Sequence, residues 1–129
     1  MCTFNYLLGT PYCPDLKDAI LFLEDDGEEI RNIDRMLSHL RHLGKLEDIA
    51  GLMIGGFNDV KNTGSVAFPY TLKDLVLEHT EGLNIPIITD APFGHGEDLL
   101  PLPIGIKAKL TATETTTTLE LLEPAVKLS

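Results

Sequence analysis

Residues 19–59, AILFLEDDGEEIRNIDRMLSHLRHLGKLEDIAGLMIGGFND, decide the fold of this chain. The run AILFLED at 19–25 is short, apolar and flanked by turn-forming residues, which predicts a buried strand. Four aliphatic residues then recur at three- and four-residue steps, the spacing of one face of a helix: Ile30, Ile33, Leu37 and Leu40. A second apolar run at 49–59 predicts another buried strand that leads into a glycine-rich turn. Strand, helix and strand in this order indicate an α/β layer with parallel pairing.

The ends of the long helix carry capping signals. Asp25 or Asp26 is expected to cap its start, with acidic residues in the first turn, and Gly44 is expected to end it. These residue types satisfy the backbone groups that have no partner at helix termini.

The remaining segments extend the same pattern. Residues 1–18 are punctuated by glycine and proline and are expected to be irregular, whereas 71–82 predicts a second amphipathic helix capped by Thr71. Residues 85–90 predict a third strand, and IGIKAKLTATETTTTLELLE at 104–123 predicts an antiparallel hairpin. We therefore predict an α/β fold that has a mixed sheet and a C-terminal β-hairpin.

Composition and charge exclude several classes of protein. A length of 129 residues suits one domain, and 43% hydrophobic with 23% charged residues is typical of a folded chain. The net charge of −10 argues against a nucleic-acid partner. No apolar run is long enough to cross a bilayer, and no basic segment precedes one at the start of the chain. We expect no membrane association, no signal peptide, a cytoplasmic location, and Cys2 and Cys13 in reduced form.

His95 is the histidine whose context indicates chemistry. It lies between two glycines directly after the third predicted strand, where an α/β sheet commonly binds its ligand. Flanking glycines allow backbone angles that present a side chain outward. A histidine hydrogen-bonded within a tight loop remains an equally good interpretation of these residues. His39, His42 and His79 are expected to be solvated or to cap helices.

Glu24 ends the first predicted strand, at the sheet edge that should also carry His95. A carboxylate beside an imidazole can fix its tautomer and stabilise the imidazolium formed during proton transfer. Glu24 and His95 would then be two members of a hydrolytic triad. The alternative role for Glu24 is to interact with the dipole of the following helix. Asp25 and Glu97 are weaker candidates for the carboxylate.

No suitable nucleophile is present to complete such a triad. Ser38 lies within the long helix, Ser65 lies in a loop, and Ser129 is the last residue. None of them has the Gly-x-Ser-x-Gly surroundings of a nucleophile elbow. Cys13 lies between Tyr12 and Pro14 and has no visible activating neighbour. A serine that works with Glu24 and His95 would therefore have to come from outside this sequence.

Short motifs in collinear order resemble one known family. They are LLGTPY at 7–12, ILFLED at 20–25, IDRML at 33–37, GGF at 55–57, PFGHG at 92–96 and LPLPIG at 100–105. Together they resemble the C-terminal domain of the LD-carboxypeptidases, a serine peptidase family that also contains the microcin immunity hydrolases. The resemblance runs from about residue 5 to about residue 122.

The resemblance implies a fold and a set of roles. The expected fold is a swivelling β/β/α-like domain that covers residues 1–129, with the family's N-terminal nucleophile domain absent. In a Ser-Glu-His triad, Glu24 and His95 would match the family's glutamate and histidine. The implied substrate is the murein tetrapeptide, which loses its terminal D-alanine in the cytoplasm during cell-wall recycling. A homodimer is implied, and no metal or organic cofactor.

The missing domain also shapes the alternatives. Because the serine and the oxyanion hole would lie in the N-terminal domain, we expect this chain alone to be an inactive fragment. A microcin-immunity type hydrolase, which cuts a peptidyl-nucleotide analogue, is a second hypothesis within the same chemistry. A binding or interaction domain in which His95 is only structural is a third.

Overall fold

The computed structural model describes residues 1–96 and 99–126. Four helices and five strands occur within these residues. In chain order they are α1 Cys2–Asn5, β1 Ile20–Asp26, α2 Ile30–His42, α3 Lys45–Asp48, β2 Gly51–Asn58, α4 Leu72–His79, β3 Ile87–Ile88, β4 Ala108–Ala112 and β5 Thr117–Leu121.

The strands confirm the predicted α/β fold with a C-terminal hairpin. Strands β1, β2 and β3 form a parallel sheet in that order, and β4 pairs with β5 in antiparallel orientation. The hairpin is hydrogen-bonded as its own two-stranded sheet. Each parallel connection passes through helical segments, as βαβ units require.

Alternation along β1 and β2 separates two apolar layers. Leu21 and Leu23 of β1 face the main core, and so do Leu52 and Ile54 of β2. Helices α2 and α4 cover this core. The intervening side chains belong to the opposite face, where a smaller cluster packs against the hairpin: Ile20, Phe22, Met53, Leu110 and Leu119. This two-residue period is the normal geometry of a strand buried on both faces.

The start of α2 differs from the prediction. Asp25 and Asp26 belong to β1, and the N-cap residue is Glu29, whose side chain makes no capping hydrogen bond. The first turn of α2 contains no acidic residue. The strand continues further than expected because both aspartates still pair with β2. The prediction for the other end is confirmed, since Gly44 follows the helix with φ +68°.

Helix α4 begins at the predicted cap. Thr71 accepts a hydrogen bond from the backbone N–H of Asp74, and the Asp74 carboxylate accepts one from the backbone N–H of Thr71. This reciprocal pair is a capping box. The Thr71 hydroxyl donates a further hydrogen bond to the carboxylate, and these contacts hold the pKa of Asp74 below its ordinary value.

Three segments were predicted less well. The short helix α1 lies within residues 1–18, which were expected to be irregular, and α3 follows α2 as a separate turn of helix. The third strand has two residues, although 85–90 was predicted. Of the helices that the structure describes, none combines the length and apolar character needed to span a bilayer.

Candidate active site

Glu24 is positioned by an irregularity between β1 and β2. Leu23 pairs with Ile54, whereas Asp25 pairs with Phe57, so one residue of β1 lies opposite two residues of β2. The extra residue falls at the Gly55–Gly56 step. Such bulges bend a strand and redirect side chains, and they are common beside active sites. Alternation with Phe22 places Glu24 on the hairpin face of the sheet, at the carboxyl end of β1.

The loop that carries His95 lies against this bulge. The backbone N–H of Gly56 donates to the carbonyl of Phe93 at 2.6 Å, and Gly56 and Gly94 form a parallel bridge. At the start of this loop, the ring of Phe93 packs edge to face against the ring of Phe22 in β1, with the centroids 5.5 Å apart. The aromatic pair anchors the start of the loop on the same face of the sheet as Glu24.

Two glycines permit this close approach. A Cβ on Gly56 would lie 2.4 Å from the backbone nitrogen of Gly96, closer than two non-bonded atoms can come. A Cβ on Gly94 would lie 2.6 Å from the Cβ of Glu24, and Gly94 also has φ +87°. Only glycine satisfies both the space and the backbone angle at position 94. The GGF and GHG motifs therefore bring the loop into contact with Glu24.

Glu24 and His95 form the pair predicted from the sequence. Their Oε2 and Nδ1 atoms lie 2.6 Å apart, across 71 positions of the chain. A carboxylate can only accept a hydrogen bond, so Nδ1 carries the hydrogen in this contact. Among residues 1–96 and 99–126, no group is hydrogen-bonded to Nε2. The side chains are 34% and 52% exposed, so the pair is open to solvent or to a partner.

Asp25, the nearby alternative, has other partners. Its carboxylate accepts hydrogen bonds from the backbone N–H groups of Cys2, at 2.8 Å, and Asp26, at 3.0 Å. Partial burial raises the pKa of Asp25, but the Cys2 hydrogen bond and the nearby ammonium of Met1 outweigh this and leave the pKa below its ordinary value. The other alternative, Glu97, lies outside the described residues.

The other histidines do not approach this pair. His79 differs from the prediction because its side chain is buried, and its Nε2 lies 2.8 Å from Oδ1 of Asp34 on α2. His39 is exposed and hydrogen-bonded to Asn5 at 2.9 Å, and His42 is exposed. The burial of the His79 ring is explained by Asp34, because this residue of the neighbouring helix gives the buried imidazole a hydrogen-bond partner.

The described residues contain no nucleophile beside His95. Ser38 lies within α2, Ser65 lies in the loop between β2 and α4, and neither is hydrogen-bonded to the imidazole. Ser129 lies outside the described residues. The Cys13 thiol donates a hydrogen bond to the carbonyl of Pro14, and both Cys2 and Cys13 are free thiols. Over residues 1–96 and 99–126, His, Cys, Asp and Glu form no group of three that could hold a metal ion.

Residues 1–110 match the family model described as the LD-carboxypeptidase C-terminal domain. A Bacillus subtilis protein named "Probable murein peptide carboxypeptidase" is 34% identical over 116 residues, which cover 88% of this chain and 35% of that protein. The microcin C7 self-immunity protein of Escherichia coli is 26% identical over 106 residues, which cover 81% of this chain and 30% of that protein.

Solved structures share the same fold. The muramoyltetrapeptide carboxypeptidase from Oxalobacter formigenes matches with a TM-score of 0.80 and 31% identity, over 93% of this chain and 42% of that one. The wild-type microcin C7 self-immunity protein matches with a TM-score of 0.82 at 20% identity, over 98% of this chain and 36% of that one. The present chain spans about a third of the length of the curated relatives it matches.

Proposed function

Because this chain belongs to the LD-carboxypeptidase C-terminal domain family, we propose that it supplies two triad residues to a serine carboxypeptidase. In this proposal Glu24 and His95 work with a serine of a separate N-terminal domain, and the enzyme releases the terminal D-alanine of a murein tetrapeptide. The observation that carries the proposal is the 2.6 Å contact between His95 Nδ1 and Glu24 Oε2.

The geometry of the pair suits a general base and its orienting carboxylate. With the hydrogen on Nδ1 held by Glu24, the lone pair of His95 lies on Nε2 and is available to a serine hydroxyl. His95 then takes the serine proton during attack on the scissile carbonyl and later protonates the leaving D-alanine. Glu24 stabilises the imidazolium between these steps. Both side chains are partly exposed in this chain, so a second domain could pack over them and bring its serine to His95.

The nucleophile and the oxyanion hole belong, in this proposal, to the N-terminal domain. Two observations support it: the described residues place no serine beside His95, and the chain spans about a third of its relatives. The chain alone would have neither a serine to attack the scissile carbonyl nor an oxyanion hole, so it should not hydrolyse the peptide. Residues 1–129 would then form one domain of a two-domain enzyme.

The comparisons favour a murein peptide over a microcin-type substrate. The relatives named for murein or muramoyl peptides are 34% and 31% identical, whereas the microcin self-immunity protein is 26% identical. We extend the proposal to cell-wall recycling in the cytoplasm and to a homodimer. A non-catalytic binding domain remains the alternative that the following experiment excludes or establishes.

The test rebuilds the two-domain enzyme by joining this chain to the N-terminal domain of a family member. Release of D-alanine from murein tetrapeptide is then measured for the fusion, for the chain alone and for a His95→Ala fusion. Turnover by the unaltered fusion only is the expected result. Turnover that survives His95→Ala would contradict the proposal, and so would turnover by the chain alone. A peptidyl-adenylate analogue as a parallel substrate tests the microcin-type alternative.

A further inference from the structure

A hollow of about 400 Å³ lies beside the loop that carries His95, with the following residue, Gly96, in its wall. We call it the Lys73 hollow, and the residues that matter in its wall are Gly56, Lys73, Asp90 and Gly96. Its volume falls within the range of small-ligand pockets and could hold an amino-acid residue of a peptide. It opens at the carboxyl ends of β2 and β3, the usual place for a ligand in an α/β sheet.

The hollow and the proposed catalytic pair share a wall. Gly56 lines the hollow, and its carbonyl accepts a hydrogen bond from the backbone N–H of His95 at 3.5 Å. Gly96, the residue that follows His95, lines it too. A substrate whose scissile bond reaches His95 could therefore place an adjacent residue in the hollow.

Lys73 brings a positive charge to this place. Its side chain is exposed, and among the described residues it forms no ion pair. It lies in the first turn of α4, where a cation interacts unfavourably with the helix dipole, although its charge also acts favourably on the neighbouring Asp74 carboxylate. The whole chain carries a net charge of −10. An anionic substrate would be repelled unless a local cation compensated this field.

We infer that Lys73 recognises the terminal carboxylate of the peptide whose last residue is removed. This inference rests on the proposed function, since a carboxypeptidase must distinguish a chain end from an internal peptide bond. The Lys73 ammonium would form a charge-assisted hydrogen bond with the free carboxylate. Asp90, on the same wall, opposes a carboxylate, so its charge should weaken binding and not assist it.

The test compares two peptides in the rebuilt two-domain enzyme: the murein tetrapeptide and the same peptide with a C-terminal primary amide. We expect Lys73→Met to lower kcat/KM for the carboxylate peptide by about 10- to 100-fold, the effect of one hydrogen bond to a charged group. We expect the amide peptide to be a poor substrate of the unaltered fusion and its turnover to be unaffected by Lys73→Met. Lys73→Arg should restore most of the preference for the carboxylate.

Two control variants sharpen this result. Lys17→Met removes an exposed lysine outside the hollow and should change neither substrate. Asp90→Asn keeps a residue type that tolerates the φ of +57° at this position, and it should raise kcat/KM for the carboxylate peptide, because it removes a negative charge that opposes the carboxylate. A fall with Asp90→Asn similar to that with Lys73→Met would overturn the assignment.

The outcomes separate this inference from the proposed function. If the unaltered fusion shows no His95-dependent turnover, the proposed function fails. If His95-dependent turnover is present but Lys73→Met leaves the ratio of carboxylate to amide turnover unchanged, only the role of Lys73 is refuted.

Discussion

The contact between the His95 loop and Glu24 predicts a large difference between two glycine substitutions. Gly94 and Gly82 have nearly the same backbone angle, with φ +87° and +83°. A Cβ at Gly94 would lie 2.6 Å from the Glu24 Cβ, whereas a Cβ at Gly82 would meet nothing within 4 Å. Gly82→Ala therefore measures the cost of the backbone angle alone, and Gly94→Ala adds the steric conflict with Glu24.

The magnitudes follow from these two terms. A left-handed backbone costs an alanine about 1–2 kcal/mol, and the smaller entropy of the unfolded alanine chain offsets about 0.4–1 kcal/mol of this. Gly82→Ala should then lower the free energy of unfolding by about 1 kcal/mol. Crowding of a well-packed site adds about 1–3 kcal/mol, so Gly94→Ala should cost about 2–4 kcal/mol.

Urea denaturation of this chain measures both free energies of unfolding. The two-domain fusion supplies a second readout, since displacement of the loop from Glu24 should remove most D-alanine release in Gly94→Ala and leave it intact in Gly82→Ala. Equal stability losses in the two variants, together with full activity of Gly94→Ala, would refute the close packing of the loop on Glu24.

Three further predictions concern other parts of the chain. Thr71→Ala should lower the free energy of unfolding by about 1 kcal/mol at neutral pH. Because the Thr71 hydroxyl donates to the Asp74 carboxylate and lowers its pKa, the part of this stabilisation that comes from that bond should be present above the ordinary aspartate range and lost as pH falls through the lowered value; a destabilisation that grows on acidification would contradict it. Asp34→Ala leaves the buried His79 without its partner and should cost about 1–3 kcal/mol in urea denaturation, so an unchanged midpoint would argue against the pair. The imidazole ¹⁵N chemical shifts of neutral His95 should report a proton on Nδ1, and a dominant Nε2–H tautomer would be inconsistent with the carboxylate contact.

The sequence predicted the fold where its pattern is periodic. The stripe at Ile30, Ile33, Leu37 and Leu40 became the buried face of α2. Apolar runs placed β1 and β2 to within one or two residues at each end. The third strand was overestimated, because 85–90 has the composition of a strand but only Ile87 and Ile88 pair with β2.

Capping at the start of α2 was misjudged for a physical reason. Asp25 and Asp26 are good cap residues, but pairing with β2 keeps both in extended conformation. Local propensity cannot reveal such a tertiary contact. The same limit applies to His79, since its partner Asp34 lies 45 positions away and nothing local indicates its burial.

The candidate site could be predicted from sequence because Glu24 ends one predicted strand and His95 follows another. Parallel strands end at the same edge, so Glu24 at the carboxyl end of β1 and His95 after β3 were expected to lie together, and they do. The role of the Gly55–Gly56 step was not predicted, although the glycine pair was visible in the GGF motif. The Lys73 hollow could not be found from sequence, because its wall joins α4 to loops that are distant in the chain.

The most direct test of the central claim is a double-mutant cycle on the two-domain fusion, with kcat/KM for D-alanine release as the measurement. If the two residues belong to a triad as proposed, Glu24→Gln should lower it by about 10⁴-fold and His95→Ala by about 10⁶-fold, the losses typical of hydrolytic triads. The double variant should be no worse than His95→Ala, because a carboxylate that acts only through the imidazole has nothing left to orient. Losses that multiply, or activity that survives either substitution, would contradict the claim that the two residues act as one catalytic unit.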